Sequence, residues 1–327
     1  MAWNNQTVLV TGAGGFIGSH LAERLVALGA RTRALVEYNS TNSWGWLEES
    51  PVKEEMEVFL GDIRDPDSIR RSMEGADVVF HLAALIGIPY SYQAPLSYIR
   101  TNVEGTFNVL QQALEAQVRR VVHTSTSEVY GTAQRVPIDE HHPLQGQSPY
   151  AASKIGADKI AESYYRSFDL PVVTVRPFNT FGPRQSARAV IPTIMTQCLT
   201  GTTVRLGNLN PTRDLNYVSN TVDGFIRAAE TDVAVGRTFN LGSGREIRIG
   251  DLAQLIIQLA EKPIKIQQDE ERVRAGNSEV DRLLADNTAA QQILGWKPIV
   301  SLEEGLRITM EWMRAHLEAY KPAFYAV

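Results

Sequence analysis

Short apolar runs alternate with longer segments of helical period through the first half of the chain. The run TVLV at 7–10 predicts a strand, and 16–29 (FIGSHLAERLVALG) places apolar residues on one helical face, with Gly29 as a stop. Further strands are predicted at 32–36, at 57–62, at 77–84, at 119–126 and at 172–176. Helices are predicted at 104–117 and 151–168. Asp65 before Pro66 reads as a helix N-cap. Strand, helix, strand in this order predicts parallel pairing in a Rossmann-type doubly wound α/β sheet. The segment 85–98 is apolar, aromatic and rich in small residues, and it reads as a loop. Beyond 176 the composition turns loop-like, with helices predicted at 190–201, 249–261 and 301–320. The expected division is therefore a nucleotide-binding domain of 1–176 plus 214–244 and a smaller α/β lobe of 177–213 plus 245–327.

Composition narrows the class. The 327 residues are 43% hydrophobic and 21% charged, as in an ordinary soluble globular protein. A net charge of −5 argues against a general nucleic-acid binder. The single cysteine, Cys198, excludes an internal disulfide and a cysteine-based metal cluster, which fits a reducing compartment. Neither a charged leader nor an apolar run of roughly 20 residues is present, so a cytoplasmic protein without membrane contact is expected. The six histidines show no ligand spacing, and no metal is predicted.

The candidate chemistry sits at the ends of the predicted strands. Gly12, Gly15 and Gly18 form a GxxGxxG loop between the first strand and a helix opening with Phe16 and Ile17. Glycines there let backbone amides approach a pyrophosphate at the helix N-terminus. Glu37, at the end of the second strand, is placed to accept ribose hydroxyls, which favours NAD over NADP; a solvated loop charge is the alternative. Asp62, followed by Ile63, is placed to reach an adenine amine. Leu82, Ala83 and Ala84 lead from the 77–84 strand past the nicotinamide, and Ile86 begins a stretch able to wall a substrate pocket. Thr126, Ser127 and Glu128 end the fifth strand, and Tyr150 and Lys154 follow at a spacing of four, on one helical face. An ammonium beside a phenol favours the phenolate and makes a tyrosine a usable acid and base. Arg184 and Arg188 suit bidentate phosphate contacts, with a solvated surface position as the alternative.

TGAGGFIG, HLAA, STSEVYG and YxxxK, followed by RPFNTFGPRQ at 176–185 and RDLNYV at 213–218, resemble the extended short-chain dehydrogenase/reductases that act on nucleotide-activated sugars. The resemblance covers about 300 residues. It implies that Tyr150 and Lys154 are the catalytic pair and that Thr126 bonds the sugar. It also implies that Asn179 touches the sugar or its phosphate, and that Arg213 and Arg274 hold the diphosphate. Glu128 resembles the carboxylate that dehydratases and UDP-glucuronate decarboxylases carry, and in a dehydratase it implies a base for the proton on carbon 5. Ser127 departs from the Asp of the dTDP-glucose type and leaves the acid for the carbon 6 hydroxyl open between Glu128, Ser127 and water. The surrounding motifs resemble configuration-retaining 4,6-dehydratases of UDP- or GDP-N-acetylglucosamine. Such relatives often carry a basic residue where this chain has Glu37, which again favours NAD. A UDP-glucuronate decarboxylase, a 4-epimerase and a non-catalytic NAD-sensing protein are the alternatives. The family also implies a homodimer joined through the helices around 104–117 and 153–168.

Overall fold

Thr7–Thr11 (β1) is a buried interior strand of a parallel sheet, and its side chains divide the core between two faces. Val8 and Val10 join one apolar cluster and Leu9 the other, and all three are fully buried. This is the period-2 alternation of a strand covered on both sides. The computed structural model describes residues 3–269 and 280–320.

From β1 the chain passes through Phe16–Ala27 (α1), Arg31–Glu37 (β2), Met56–Gly61 (β3) and Pro66–Met73 (α2). Val78–His81 (β4) then pairs with the other edge of β1. Beyond it lie Arg120–Thr124 (β5) and Val172–Pro177 (β6). Thr238–Leu241, numbered β10 in chain order, completes the order β10-β6-β5-β4-β1-β2-β3. Every pairing in this sheet is parallel. The direction of strand addition reverses between β1 and β4, and doubly wound sheets open a ligand crevice at such a point. Asp65 caps α2 by accepting from the amides of Asp67 and Ser68. Pro149–Phe168 is numbered α6 and follows three short helices; it packs with α2's face of the sheet through Ala161 and Tyr164.

The three helices before β5 correct one expectation. The segment 85–98 is helical over much of its length: Ile88–Gln93 (α3) and Pro95–Tyr98 (α4) precede a wide π turn at Ile99–Glu104 and Gly105–Glu115 (α5). Its small residues made the segment read as loop, yet helices start here, with Pro89 and Pro95 in first-turn positions where a missing N–H costs nothing.

The smaller lobe is built on Asn179–Phe181 (β7), Thr212–Tyr217 (β9) and Glu246–Arg248 (β11), in the order β11-β9-β7. Thr203–Leu206 (β8) pairs in parallel with Lys265–Gln268 (β12). Val190–Thr200 (α7), Ile249–Ala260 (α9) and Leu302–Ala315 (α11) cover them, while Thr288–Leu294 (α10) lies against Val218–Glu230 (α8). Arg213 therefore lies inside β9, not before a strand. Residues 214–217 also belong to the smaller sheet, and the return to the large sheet starts with α8. Cys198 on α7 is buried core, and burial pushes its thiol up to about 11. Among the described residues, no helix is long and apolar enough to cross a membrane.

Candidate active site

A cleft of about 1340 Å³ runs along the carboxyl ends of the strands, from the glycine loop to β9. Its first wall is dictated by the glycines. Gly12 has φ +71°, and a Cβ there would lie 2.8 Å from the amide nitrogen of Ala83. A Cβ on Gly18 would overlap the carbonyl oxygen of Gly12. Gly15 is the N-cap of α1 and supplies no side-chain cap, and no acidic residue follows in the first turn. The first amides of α1 are thus left for an external anion, with the positive end of the helix behind them. The loop after β2 leans onto this turn, with the Trp46 amide donating to the Gly14 carbonyl at 3.0 Å.

Farther along, Glu37 ends β2 as an exposed residue while Val36 is packed away. Asp62 lines the cleft but is paired with Arg64, whose Nε lies 2.9 Å from its carboxylate and holds it below the usual carboxylate range. Phe16, Ile17, Ile63, Leu82, Ala83, Ala84 and the exposed Ile86 also line it. Close-packed glycines, an uncapped helix terminus and a carboxylate at the end of β2 fit a dinucleotide.

The chemistry converges on the start of α6. Ser148 caps this helix, its Oγ accepting from the Ala151 amide at 3.1 Å, and Pro149 occupies the first turn. Tyr150 and Lys154 are therefore one turn apart, 7% and 4% exposed. The Tyr150 phenol lies beside Thr126 in the cleft, and its ring meets that of Tyr98 edge-on at 6.3 Å. Thr126 also caps the turn Ser127–Tyr130 by accepting from the Glu128 amide at 3.2 Å, which brings Glu128 into the cleft. Ser127 is buried at the same wall.

Lys154 Nζ donates to the Thr124 carbonyl at 2.7 Å. Burial pushes its ammonium down to about 8, against the attraction of Asp158. Burial likewise drives the Tyr150 phenol well above its ordinary value, with Glu128, Tyr98 and Asp158 adding to the rise and Thr126 opposing it. Desolvation thus opposes the lowering that the Tyr–Lys spacing predicts.

The opposite wall comes from the smaller lobe. Asn179 lines the cleft with its amide oxygen buried and without a partner. Arg213 is buried, lines the cleft and donates to the Thr212 carbonyl at 2.9 Å. Arg188 lines the cleft as well. Arg184 is placed elsewhere: its guanidinium pairs with Glu23 at 2.8 Å and bonds Ser19, tying the loop after β7 to α1. Arg274 lies outside the described residues.

Beneath the cleft lies a polar layer that the motifs did not reveal. His81 sits between Thr11 at 2.9 Å and Thr106 at 3.0 Å. His123 and Ser125 both bond Asp158, which also pairs with Arg176 at 2.9 Å. The available signal was the spacing Tyr150, Lys154, Asp158, which continues one helical face by a further turn. Among the described residues no group of three histidine, cysteine or carboxylate side chains could hold a metal ion.

Known proteins align with this arrangement over nearly its full length. The family model for GDP-mannose 4,6-dehydratase matches residues 9–309. A UDP-glucose 4-epimerase from Mycolicibacterium smegmatis is 35% identical over 312 residues, covering 94% of this chain and 98% of its own. DesIV, a dTDP-glucose 4,6-dehydratase from Streptomyces venezuelae solved with NAD bound, superposes with a TM-score of 0.88 at 29% identity, over 98% of this chain and 100% of its own. TunA, an NAD-dependent NDP-hexosamine 5,6-dehydratase involved in tunicamycin biosynthesis, superposes with a TM-score of 0.82 at 29% identity, over 95% and 98%.

Proposed function

The chain belongs to the GDP-mannose 4,6-dehydratase family of enzymes acting on nucleotide sugars, and from that premise we propose that it is an NAD-dependent 4,6-dehydratase of UDP- or GDP-N-acetylglucosamine. The observation that carries this reading is Glu128, which the Thr126-capped turn sets in the cleft beside Tyr150, near enough to raise the phenol's pKa. A second reading, 4-epimerase, draws on the Mycolicibacterium smegmatis relative. An epimerase has use for Tyr150, Lys154 and Thr126 but none for a base at carbon 5.

Bound NAD supplies a hydride acceptor for carbon 4 and a donor for carbon 6. Gly12, Gly15 and Gly18 with the amides of α1 hold its pyrophosphate, and the Glu37 carboxylate favours free ribose hydroxyls over a 2′-phosphate. Tyr150, in its phenolate form, takes the proton of the carbon 4 hydroxyl, oriented by Thr126 and supported by Lys154. A ketone at carbon 4 acidifies carbon 5, Glu128 removes that proton, and the carbon 6 hydroxyl leaves as water with a proton from Glu128, Ser127 or a water; carbon 5 regains a proton when carbon 6 takes up hydride. Asn179 offers its unpaired acceptor to the sugar, and Arg213 meets the diphosphate. The product is a 4-keto-6-deoxy sugar formed without net redox change. The resemblance of the surrounding motifs supports the N-acetylglucosamine unit, as does the hexosamine that TunA acts on. Cytoplasmic residence and a homodimer through α5 and α6 complete the proposal.

The test is proton NMR of the purified protein with UDP-N-acetylglucosamine in heavy water, repeated with the GDP sugar. A 4-keto-6-deoxy product carrying deuterium at carbon 5 is expected with one of them. An isomer formed without loss of water establishes the epimerase instead, and no change with either sugar removes the N-acetylglucosamine assignment.

A further inference from the structure

Asp158 continues the buried face of α6 that carries Tyr150 and Lys154. The three residues recur every four positions and are 7%, 4% and 5% exposed, so one helical row of acid–base groups enters the protein from the cleft. The carboxylate is held from several sides. His123 Nε2 lies at 3.1 Å, Ser125 Oγ at 2.8 Å, and Arg176 Nη2 and Nε at 2.9 and 3.3 Å. Such bonds keep a buried carboxylate ionised, and it is held down to about 2.

We propose that Asp158 is a positioning residue for the acid–base step, the counter-charge that keeps Lys154 in its ammonium form and so fixes the pH range in which Tyr150 can give and take a proton. The proposal rests on the Tyr150–Lys154 reading above. The surroundings leave this role to Asp158. On β5, His123 faces Lys154, and on β4 His81 does; burial lowers both histidines, which leaves them neutral at pH 7. Arg176 on β6 is positive and engaged by Asp158 and the Tyr130 hydroxyl. Tyr98 and Glu128 approach Tyr150 at the cleft end. On the outer side, a cavity of about 430 Å³ beside Asp158 is rimmed by Glu140, His141, Lys159, Glu162 and Arg237. Desolvation works against the Lys154 charge, and Asp158 is the group whose attraction opposes it.

The chain has seven lysines, so protein labelled with ¹³C at the lysine ε carbon gives a spectrum simple enough to follow Lys154, identified by its loss in Lys154→Met. In the wild-type holoenzyme Lys154 should titrate near pH 8. Asp158→Asn should lower that midpoint by about one pH unit or more, the scale of a single nearby opposite charge. The alkaline limb of product formation from the nucleotide sugar should move down with it, so that a midpoint lowered by about one pH unit costs about fivefold in rate at pH 8 and approaches tenfold at higher pH.

Asp158→Asn also strands the Arg176 charge, so Asp158→Asn with Arg176→Gln is made alongside it. Recovery of thermal stability in the double variant with the Lys154 midpoint still lowered supports the proposal. A midpoint equal to wild type in Asp158→Asn, or one restored by Arg176→Gln, overturns it and reduces Asp158 to a partner for Arg176. If Lys154→Met and Tyr150→Phe turn over normally, the acid–base reading falls instead, and the lysine titration still decides whether Asp158 governs Lys154.

Discussion

Under the proposed function, Glu128 separates a dehydratase from a 4-epimerase, because loss of water needs a base at carbon 5 and hydride transfer at carbon 4 does not. Replacing Glu128 with Gln keeps the size and removes the base. The variant should still exchange hydride at carbon 4, while incorporation of solvent deuterium at carbon 5 and formation of the 6-deoxy product should fall by about 10²-fold or more, the usual scale for a lost general base. Normal water loss by Glu128→Gln, read by NMR, would falsify the role. Single residues were legible to different degrees. Gly12, Gly15, Gly18, Tyr150 and Lys154 are fixed by local spacing, and local spacing survives folding. Arg184 was not, since its partner Glu23 lies 161 positions away and a sequence gives no sign of that contact. Asp62 was half legible: it does line the cleft, but Arg64, two residues on, occupies its carboxylate.

At the scale of elements, α6 shows how one cap serves the site. Ser148 accepts from the Ala151 amide and Pro149 sets the first turn, so Tyr150 emerges at a fixed height beside Thr126. Ser148→Ala should cost about 1 kcal/mol of stability. For a chain of 327 residues that corresponds to a fall in Tm of about 1–2 °C. The same variant should slow turnover with NAD affinity unchanged, because the loosened end of the helix carries Tyr150 and not the phosphate loop. Unchanged melting by calorimetry would show that water replaces the cap at no cost. The parallel strands and α1 were readable from period alone, since each is either buried on both faces or amphipathic. The segment after β4 was not, because Pro89 and Pro95 mark helix starts as readily as they mark loops, and the buried Tyr98 and Asn102 that settle the matter depend on tertiary contacts. Asn102 donates to the Leu85 carbonyl and accepts from the Leu85 amide, pinning this helical stretch onto the end of β4's loop.

At the scale of the whole molecule, several large apolar side chains are exposed along α4, α5 and α6. Leu96, Ile99, Phe107 and Phe168 are 56%, 53%, 44% and 53% exposed. They lie on the helical stretch from α4 to α5 and at the end of α6. Phe107 and Phe168 both pack on Tyr164, at ring distances of 6.2 and 5.1 Å, so the apolar surface is continuous between the two helices. Scattered exposed apolar residues are ordinary, whereas a connected patch marks an association surface. A two-fold contact would bury the same patch on both copies. Replacing Ile99 and Phe107 together with Asp places charges in the middle of that contact without touching the buried side of either helix. The wild-type chain should sediment at twice 36.3 kDa and the variant at 36.3 kDa, with an unchanged circular dichroism spectrum. A wild-type chain that stays at the monomer mass at micromolar concentration removes the homodimer, and a variant that still pairs moves the interface to another face. The consequence for chemistry follows from α6, which carries Tyr150 and Lys154 in its first turns, Asp158 at its middle and Phe168 at its far end. Pairing would brace that helix from outside, so the monomeric variant should lose turnover before it loses its fold.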